Sequence, residues 1–232
     1  MTLNERQQQI FDLLCGHKKV SVSKLSKTLF VTEMTIRRDL SIMEKAGYLK
    51  RYRGGAMLLT ENEGFPIAQR LLIDEEEKRI LGKRAASFLR DDIFIFIDSS
   101  STTHFLIPHI KKFKNISVIT NSINALSILT KLGISVFLIG GEYNNHEMCC
   151  IGPSAEQIAE KFNVDLAFIS TLGISKDGYI TDSSPNIISV KEKIIKNAKH
   201  TIFMFEKSKI NKKGIYTLHH KDNANTTVLF SY

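Results

Sequence analysis

The sequence predicts an α/β protein of two unequal domains: a small helical unit closed by a β-hairpin, then a larger domain built on a mainly parallel sheet. Three observations carry this. Met1 to Met57 holds three short amphipathic helical patterns followed by an alternating segment rich in glycine and cations. From Ile93 onward, short apolar runs alternate with helical stretches, the pattern of strands joined by helical crossovers. The chain has 232 residues, which fits two domains better than one small core.

Composition narrows the class. Hydrophobic residues make up 43% and charged residues 24%, enough apolar material for a packed core. Met1 to Arg6 has no basic stretch leading into an apolar run, and no segment approaches the roughly 18 apolar residues of a membrane span. A cytoplasmic protein with no membrane partner is therefore expected. Cys15, Cys149 and Cys150 are odd in number and lack ligand spacing, so neither a disulfide framework nor a metal site is expected. The net charge of +8 is uneven: residues 1–60 hold 11 Lys and Arg against 5 Asp and Glu, and the remainder 21 against 19. A basic small domain on a nearly neutral large one points the small one at a polyanion, with a solvated basic face as the plain alternative.

The N-terminal elements follow from periodicity and caps. Leu3, Gln7, Ile10, Phe11, Leu13 and Leu14 follow helical spacing from about Leu3 to Cys15, and Gly16 reads as the stop. Ser21 or Ser23 caps a second helix carrying Val22, Leu25 and Leu29. Phe30-Val31 turns the chain, and Thr32 caps a third helix that continues to Ala46. In the third helix Ile36, Leu40 and Met43 share one face at i, i+4 and i+7, leaving Thr32, Glu33, Thr35, Arg37 and Arg38 mostly outward. Hydroxyls and arginines on an exposed helix face suit the major groove, where base edges and phosphates take such donors. Gly47 ends the helix. Tyr48 to Met57, with Arg51, Arg53 and the Gly54-Gly55 turn, reads as a basic β-hairpin fit to lie along a phosphate backbone.

The run Val31-Thr32-Glu33-Met34-Thr35-Ile36-Arg37-Arg38-Asp39-Leu40, with Glu44, Gly47, Arg51 and Gly54-Gly55-Ala56, resembles the DNA-binding signature of the DeoR family of bacterial transcription regulators. The resemblance implies a winged helix-turn-helix over residues 1–60 whose third helix enters the major groove of a double-stranded operator. By position, Thr35, Arg37 and Arg38 carry the DNA contacts it implies. Asp39 is expected to orient an arginine or to cap locally. Residues 61–74, containing Gly64, Phe65 and Pro66, read as a connector, with the boundary near Thr60. Asp74 and Glu75 to Glu77 read as a solvated acidic first turn of the helix that follows.

Residues 75–232 form the larger domain. Ile93 to Ile97, Ile116 to Ile119, Val136 to Ile139, Leu166 to Ile169 and Ile202 to Phe205 are the expected strands. Ligands of such sheets collect at the carboxyl ends of strands. There the sequence places Asp98, Ser99, Ser100, Ser101, Thr102 and Thr103 after the first strand, opening a helix whose free amides and hydroxyls suit an anion. Asn121 and Ser122 follow the second strand, and Gly140, Gly141 and Glu142 the third, where backbone can approach a ligand closely. Taken together they favour a small phosphorylated ligand.

From about residue 65 to 210 the chain also resembles the DeoR sensor domain, which is similar in fold to ribose-5-phosphate isomerase. The matching residues are Asp98 through Thr103, Thr120-Asn121-Ser122, Gly140-Gly141, Gly152, Asp165, Ala167 to Ile169, Gly173, Gly178, Lys191 and Ser208-Lys209. This implies that Lys191 and Lys209 join the two loops around a phosphorylated sugar, with no cofactor. Ser100 stands where the family usually has Gly and Glu206 where it usually has Asp. The chain ends at Tyr232, before a last helix and strand that family members commonly carry.

The expected function is a sequence-specific DNA-binding transcription regulator, a repressor of carbohydrate-metabolism genes controlled by a phosphorylated sugar, that works as a homodimer or homotetramer on paired half-sites. Two alternatives remain at this point. A sugar-phosphate isomerase or deaminase needs a placed carboxylate or His for proton transfer; Glu142 and Asp98 qualify by position, whereas His104, His109 and His146 show no distinctive pairing. A DNA-binding protein with a shortened, unresponsive sensor is the other.

Overall fold

Gln7, Ile10, Phe11 and Leu14 bury one face of the first helix, α1 (Glu5–His17), in the computed structural model, which describes residues 3–17, 19–58 and 67–232. The helix runs past Gly16, correcting the expected stop. A glycine in a last turn costs only about 1 kcal/mol against alanine. The chain divides into two compact units, Met1–Ile73 and Asp74–Tyr232.

In the first unit β1 (Lys19–Ser21) leads into α2 (Val22–Leu29), whose cap is Ser21, its hydroxyl accepting from Lys24 N at 3.1 Å. Phe30 takes a left-handed conformation, φ 54°, and its N–H closes on the Ser26 carbonyl. That sharp turn launches α3 (Glu33–Lys45), capped by Thr32. Gly47, at φ 78°, turns the chain into the hairpin β2 (Lys50–Tyr52) and β3 (Gly55–Met57). β3 pairs with β2 and also with β1, giving the order β1-β3-β2. Gly55 is required here, because a Cβ would run into the Val20 carbonyl and the Tyr52 ring. Leu14, Leu25, Ile36, Leu40 and Met43 meet in one core, each worth roughly 1.5–3 kcal/mol of burial.

Part of the segment read as connector is ordered within this unit. Ile67–Arg70 forms α4, with Ile67, Ala68 and Gln69 buried, and Gln69 Nε2 donates to the Tyr48 carbonyl at 2.6 Å. The expected boundary at Thr60, and Gly64, Phe65 and Pro66, lie outside the described residues.

The second unit begins with α5 (Glu75–Ala85) and alternates as the apolar runs suggested: β4 (Phe94–Ile97), α6 (Ile107–Ile110), β5 (Ser117–Thr120), α7 (Ile123–Lys131) and β6 (Ser135–Leu138). There follow β7 (Glu142–Asn144), β8 (Cys149–Ile151), α8 (Pro153–Ala159), β9 (Val164–Ile169), β10 (Gly173–Ile174) and β11 (Tyr179–Asp182). The chain closes with α9 (Pro185–Asn197), β12 (Ala198–Phe205), β13 (Tyr216–His220) and β14 (Thr226–Phe230). Six strands form one sheet in the order β14-β12-β9-β4-β5-β6, and each neighbouring pair is parallel.

Strand alternation splits the core between the two faces. Ile95 and Ile97 of β4 pack with Leu81, Ile107 and Leu129, while Phe96 between them packs with Ala155, Val190 and Ile194. Helices therefore cover both faces, which a parallel sheet requires. From β4 the chain first adds β5 and β6 on one side, then β9, β12 and β14 on the other. The strand order thus reverses between β4 and β9, and outside their carboxyl ends such sheets open a crevice.

Candidate functional site

The exposed face of α3 is the first candidate. Thr32 Oγ1 accepts from Thr35 N at 3.3 Å and lies 3.0 Å from Thr35 Oγ1, so the two hydroxyls hold each other at the start of the helix. Arg37 and Arg38 are exposed, and Arg37 reaches back to Glu33 at 2.9 Å. An exposed pair of that kind is worth little and yields easily to a phosphate. Arg51 N donates to Glu44 Oε1 at 2.8 Å, tying the hairpin to α3, and Arg53 and Gly54, φ 96°, form its tip. Asp39 does orient an arginine, but that of α1: Arg6 Nε lies 2.6 Å from Asp39 Oδ2, and buried Gln7 donates to Oδ1 at 3.2 Å. This fixes α3 on α1 and leaves Arg37 and Arg38 to the outside.

The second candidate lies at the reversal of strand order. Asp98, directly after β4, is fully buried; its Oδ1 accepts from Ser100 N at 3.0 Å, Ser100 Oγ at 2.6 Å and Thr103 Oγ1 at 2.8 Å. Its Oδ2 accepts from Ser170 N, directly after β9, at 3.1 Å and lies 3.2 Å from Lys191 Nζ. Lys191 projects from α9, bonds the Ser170 carbonyl at 2.7 Å and lies 3.5 Å from Asp182 at the end of β11. Burial alone would neutralise Asp98, but Lys191 and the Ser100, Thr103 and Ser170 donors overcome it and hold the carboxyl below its usual range. Burial likewise disfavours the Lys191 ammonium, and attraction to Asp98 and then Asp182 outweighs it, raising that pKa.

A second ion cluster adjoins the first. Lys209 Nζ bonds Ser170 Oγ at 2.8 Å and Thr102 Oγ1 at 3.0 Å, and lies 3.1 Å from Glu206 Oε2. Glu206, just after β12, accepts from Thr102 at 2.8 Å and lies 3.7 Å from Lys78 of α5. It too is held below the usual carboxylate range, burial being outweighed by Lys209 and Lys78. The turn bearing Lys209 is clamped by α5: Ser208 Oγ donates to Asp74 at 2.7 Å and Lys207 N to Glu77 at 2.8 Å. In the acidic first turn of α5, Asp74 and Glu76 are exposed as expected, and Asp74 and Glu77 in addition hold this turn in place.

The structure therefore brings Asp98, Ser100, Thr102, Thr103, Lys191 and Lys209 into one contact network. Ser99 joins it by hydrogen bonding Cys149, whose thiol burial pushes up to about 11, and Ser101 is buried in the same loop. His104 links the loops, its Nδ1 2.6 Å from the Ser100 carbonyl and its Nε2 3.3 Å from Ser122 Oγ. Ser122 caps α7, and Asn121 Nδ2 donates to the Cys150 carbonyl at 3.0 Å. That bond leaves Asn121 Oδ1 as a buried acceptor with no hydrogen-bond partner.

Two expectations change. The helix expected after β4 forms as a 3-10 turn, Thr103–Leu106, running directly into α6, but the hydroxyls of Ser100, Thr102 and Thr103, expected to be open to an anion, are committed to carboxylates. Gly140-Gly141 leads into β7, where a Cβ on Gly141 would lie 2.6 Å from the Ile151 carbonyl. The close approach it permits is to its own chain. Glu142 is exposed at the start of β7, and Asp165, at the amino end of β9, bonds Lys199 at the opposite end of that strand from Ser170.

Comparison with known proteins resolves what these sites belong to. A model of the DeoR-like helix-turn-helix domain matches residues 6–62, and one of the DeoR C terminal sensor domain matches residues 73–229. The chain belongs to the DeoR family. This DeoR-family chain is 33% identical over 218 residues, 93% of its length and 84% of the relative's, to the HTH-type transcriptional repressor GlcR of Bacillus subtilis (strain 168). It is 30% identical over 223 residues, 94% of its length and 91% of the relative's, to the L-fucose operon activator of Escherichia coli (strain K12). Among solved structures, the ribose 5-phosphate isomerase from Plasmodium falciparum shares 16% identity at a TM-score of 0.45, over 62% of this chain and 55% of that one.

As a DeoR-family transcriptional regulator, the protein has DNA as the partner of its first unit and a small-molecule effector as that of its second. No helix among the described residues is long and apolar enough to cross a membrane. Sequence reasoning missed Ser170, Asp182 and Lys78 in the sensor network. Ser170 and Asp182 stand in short polar stretches at strand ends and Lys78 in the charged run Asp74 to Arg79, none with a spacing signal; the strand order brings Ser170 to Asp98, Lys191 gathers Asp182, and α5 carries Lys78 to Glu206.

Proposed function

We propose that this DeoR-family regulator represses carbohydrate-metabolism genes from a double-stranded operator, and that a phosphorylated sugar bound where the sensor sheet reverses its strand order controls it. The observation that carries the effector reading is the convergence of Lys191, Lys209 and the Asp98–Thr103 loop at the carboxyl ends of β4, β9 and β12. Cations with hydroxyl donors suit a phosphate, and the unpartnered Asn121 Oδ1 suits a sugar hydroxyl. Thr32, Thr35, Arg37, Arg38, Arg51, Arg53 and Gly54 supply the operator surface, and Gly55, expected to join them, is buried behind the hairpin tip. The name of GlcR supports repression, while the similar L-fucose operon activator is named for the opposite sign.

A binding role is favoured over catalysis by the state of the acids. Asp98 is locked by Lys191 and three hydrogen-bonding groups, which leaves it a poor proton acceptor, and Glu142 is exposed. Soluble in the cytoplasm, the protein acts as a homodimer or homotetramer on paired half-sites.

The test is fluorescence anisotropy on DNA from upstream of its own gene, at fixed salt, with and without a panel of sugar phosphates. One compound should shift a saturable operator isotherm, and Lys209→Ala should abolish that shift while operator binding survives. An isotherm indifferent to every compound, or a response unchanged in Lys209→Ala, overturns the effector assignment. Absence of sequence-specific binding overturns the regulator reading.

A further inference from the structure

Among the described residues of the first unit, the large apolar side chains left exposed are Phe30 and Met34, at 93% and 79%. They flank the Thr32 cap, Phe30 in the left-handed turn that launches α3 and Met34 in its first turn. A lone exposed apolar residue needs no explanation. Two of them at the point where a groove-reading helix begins ask for one.

At 100° per residue, Ile36, Asp39, Leu40 and Met43 define the buried side of α3. Diametrically opposite runs the stripe Met34, Arg38, Ser41 and Lys45. Its two cations direct it at a polyanion, so its apolar member meets whatever apolar group that polyanion presents. In the major groove of DNA this is the 5-methyl group of thymine. The methionine thioether is unbranched and polarisable, suited to a small protruding methyl. Arg38 follows one turn later, about 6 Å along the axis, or about two base steps.

We propose that Met34 is a specificity-determining residue that reads a thymine methyl in the operator, within about two base pairs of the base or phosphate taken by Arg38. This rests on the regulator reading above. It assigns sequence information to an apolar contact beside the hydrogen bonds of the arginines, and Phe30 adds apolar surface at the same end of the helix.

A cycle between protein and DNA tests it. Duplexes selected from a random pool by the full-length chain are remade with each thymine in turn replaced by deoxyuridine, which removes only the methyl group. One position per half-site should weaken wild-type binding about fourfold, the worth of one buried methylene. In Met34→Ala that same replacement should cost nothing, and in Met34→Leu, of similar volume, the cost should return. Because Met34 is exposed, circular dichroism should find both variants folded. An equal deoxyuridine penalty in wild type and Met34→Ala, or no sensitive thymine in wild type, overturns the assignment while leaving the regulator intact. A chain that selects no sequence at all overturns the regulator reading, and this assignment with it.

Discussion

Replacing Lys191 by Met removes the cation from a site where Asp98 is 1% exposed and Lys191 5%. Breaking a buried pair by deleting one partner costs about 3–5 kcal/mol, because the remaining charge is left uncompensated. With a slope of about 2 kcal/mol per molar in urea, the transition of the larger unit should move down by roughly 2 M, read by far-UV circular dichroism. The pH dependence distinguishes this from a packing loss. In the wild type the Asp98 pKa is lowered, so its stabilisation is present above the unfolded carboxyl value and is lost as pH falls through the folded one. The Lys191 pKa is raised, so its share is present below the unfolded ammonium value and is lost as pH rises through the folded one. Without Lys191, the largest influence opposing burial is gone, and the Asp98 pKa should rise. The penalty of Lys191→Met should then be largest at neutral pH and shrink toward pH 4, and adding Asp98→Asn should recover much of it. A penalty under about 1 kcal/mol, or one independent of pH, would refute the account of a charge pair holding the reversal point together.

Two further outcomes follow from the same contacts. Thr32→Ala removes the cap of α3 and should lower the stability of the first unit by about 1 kcal/mol, a change that thermal unfolding reads and that Thr32→Ser should largely restore. Iodoacetamide at neutral pH should label Cys15, which is exposed, well before Cys149 and Cys150, which are buried, Cys149 with its pKa pushed up to about 11; mass spectrometry showing Cys149 labelled first would contradict the packing of β8.

The helix-turn-helix was legible because its signals are local. Thr32 as a cap, the spacing of Ile36, Leu40 and Met43, and Gly47 all act within a few residues of where they stand. Five of the six parallel strands were legible for the same reason, each being a short apolar run between turn residues, whereas β14 was not read as a strand. β1 was not, since Lys19–Ser21 has only three residues and takes its conformation from pairing with β3. In the sensor site the Asp98–Thr103 loop stood out as a run of hydroxyls. Lys191 lies mid-helix and was reached through family resemblance alone. Ser170 becomes a neighbour of Asp98 only through the strand order, and Asp182 meets Lys191 from the separate sheet β10-β11-β13; both are non-local properties of the chain.

The two sensor lysines divide the work of the proposed site. Lys191 is buried, bound to Asp98, Asp182 and the Ser170 carbonyl, and withdrawing it would strand two carboxylates. It is therefore a fixed element that orients the loops. Lys209 is 20% exposed and sits on a turn held by Asp74 and Glu77, with Glu206 as its counter-charge. A phosphate reaching Lys209 and Thr102 would compete with the Glu206 carboxylate for both donors, leaving Glu206 to Lys78. Effector binding at this point is then an exchange of one anion for another, with the gain set by the difference between them. Such an exchange shifts the balance between two arrangements only through contacts that differ between them. The turn that joins β12 to α5 through Glu206, Lys207 and Ser208 is where that difference would first be felt.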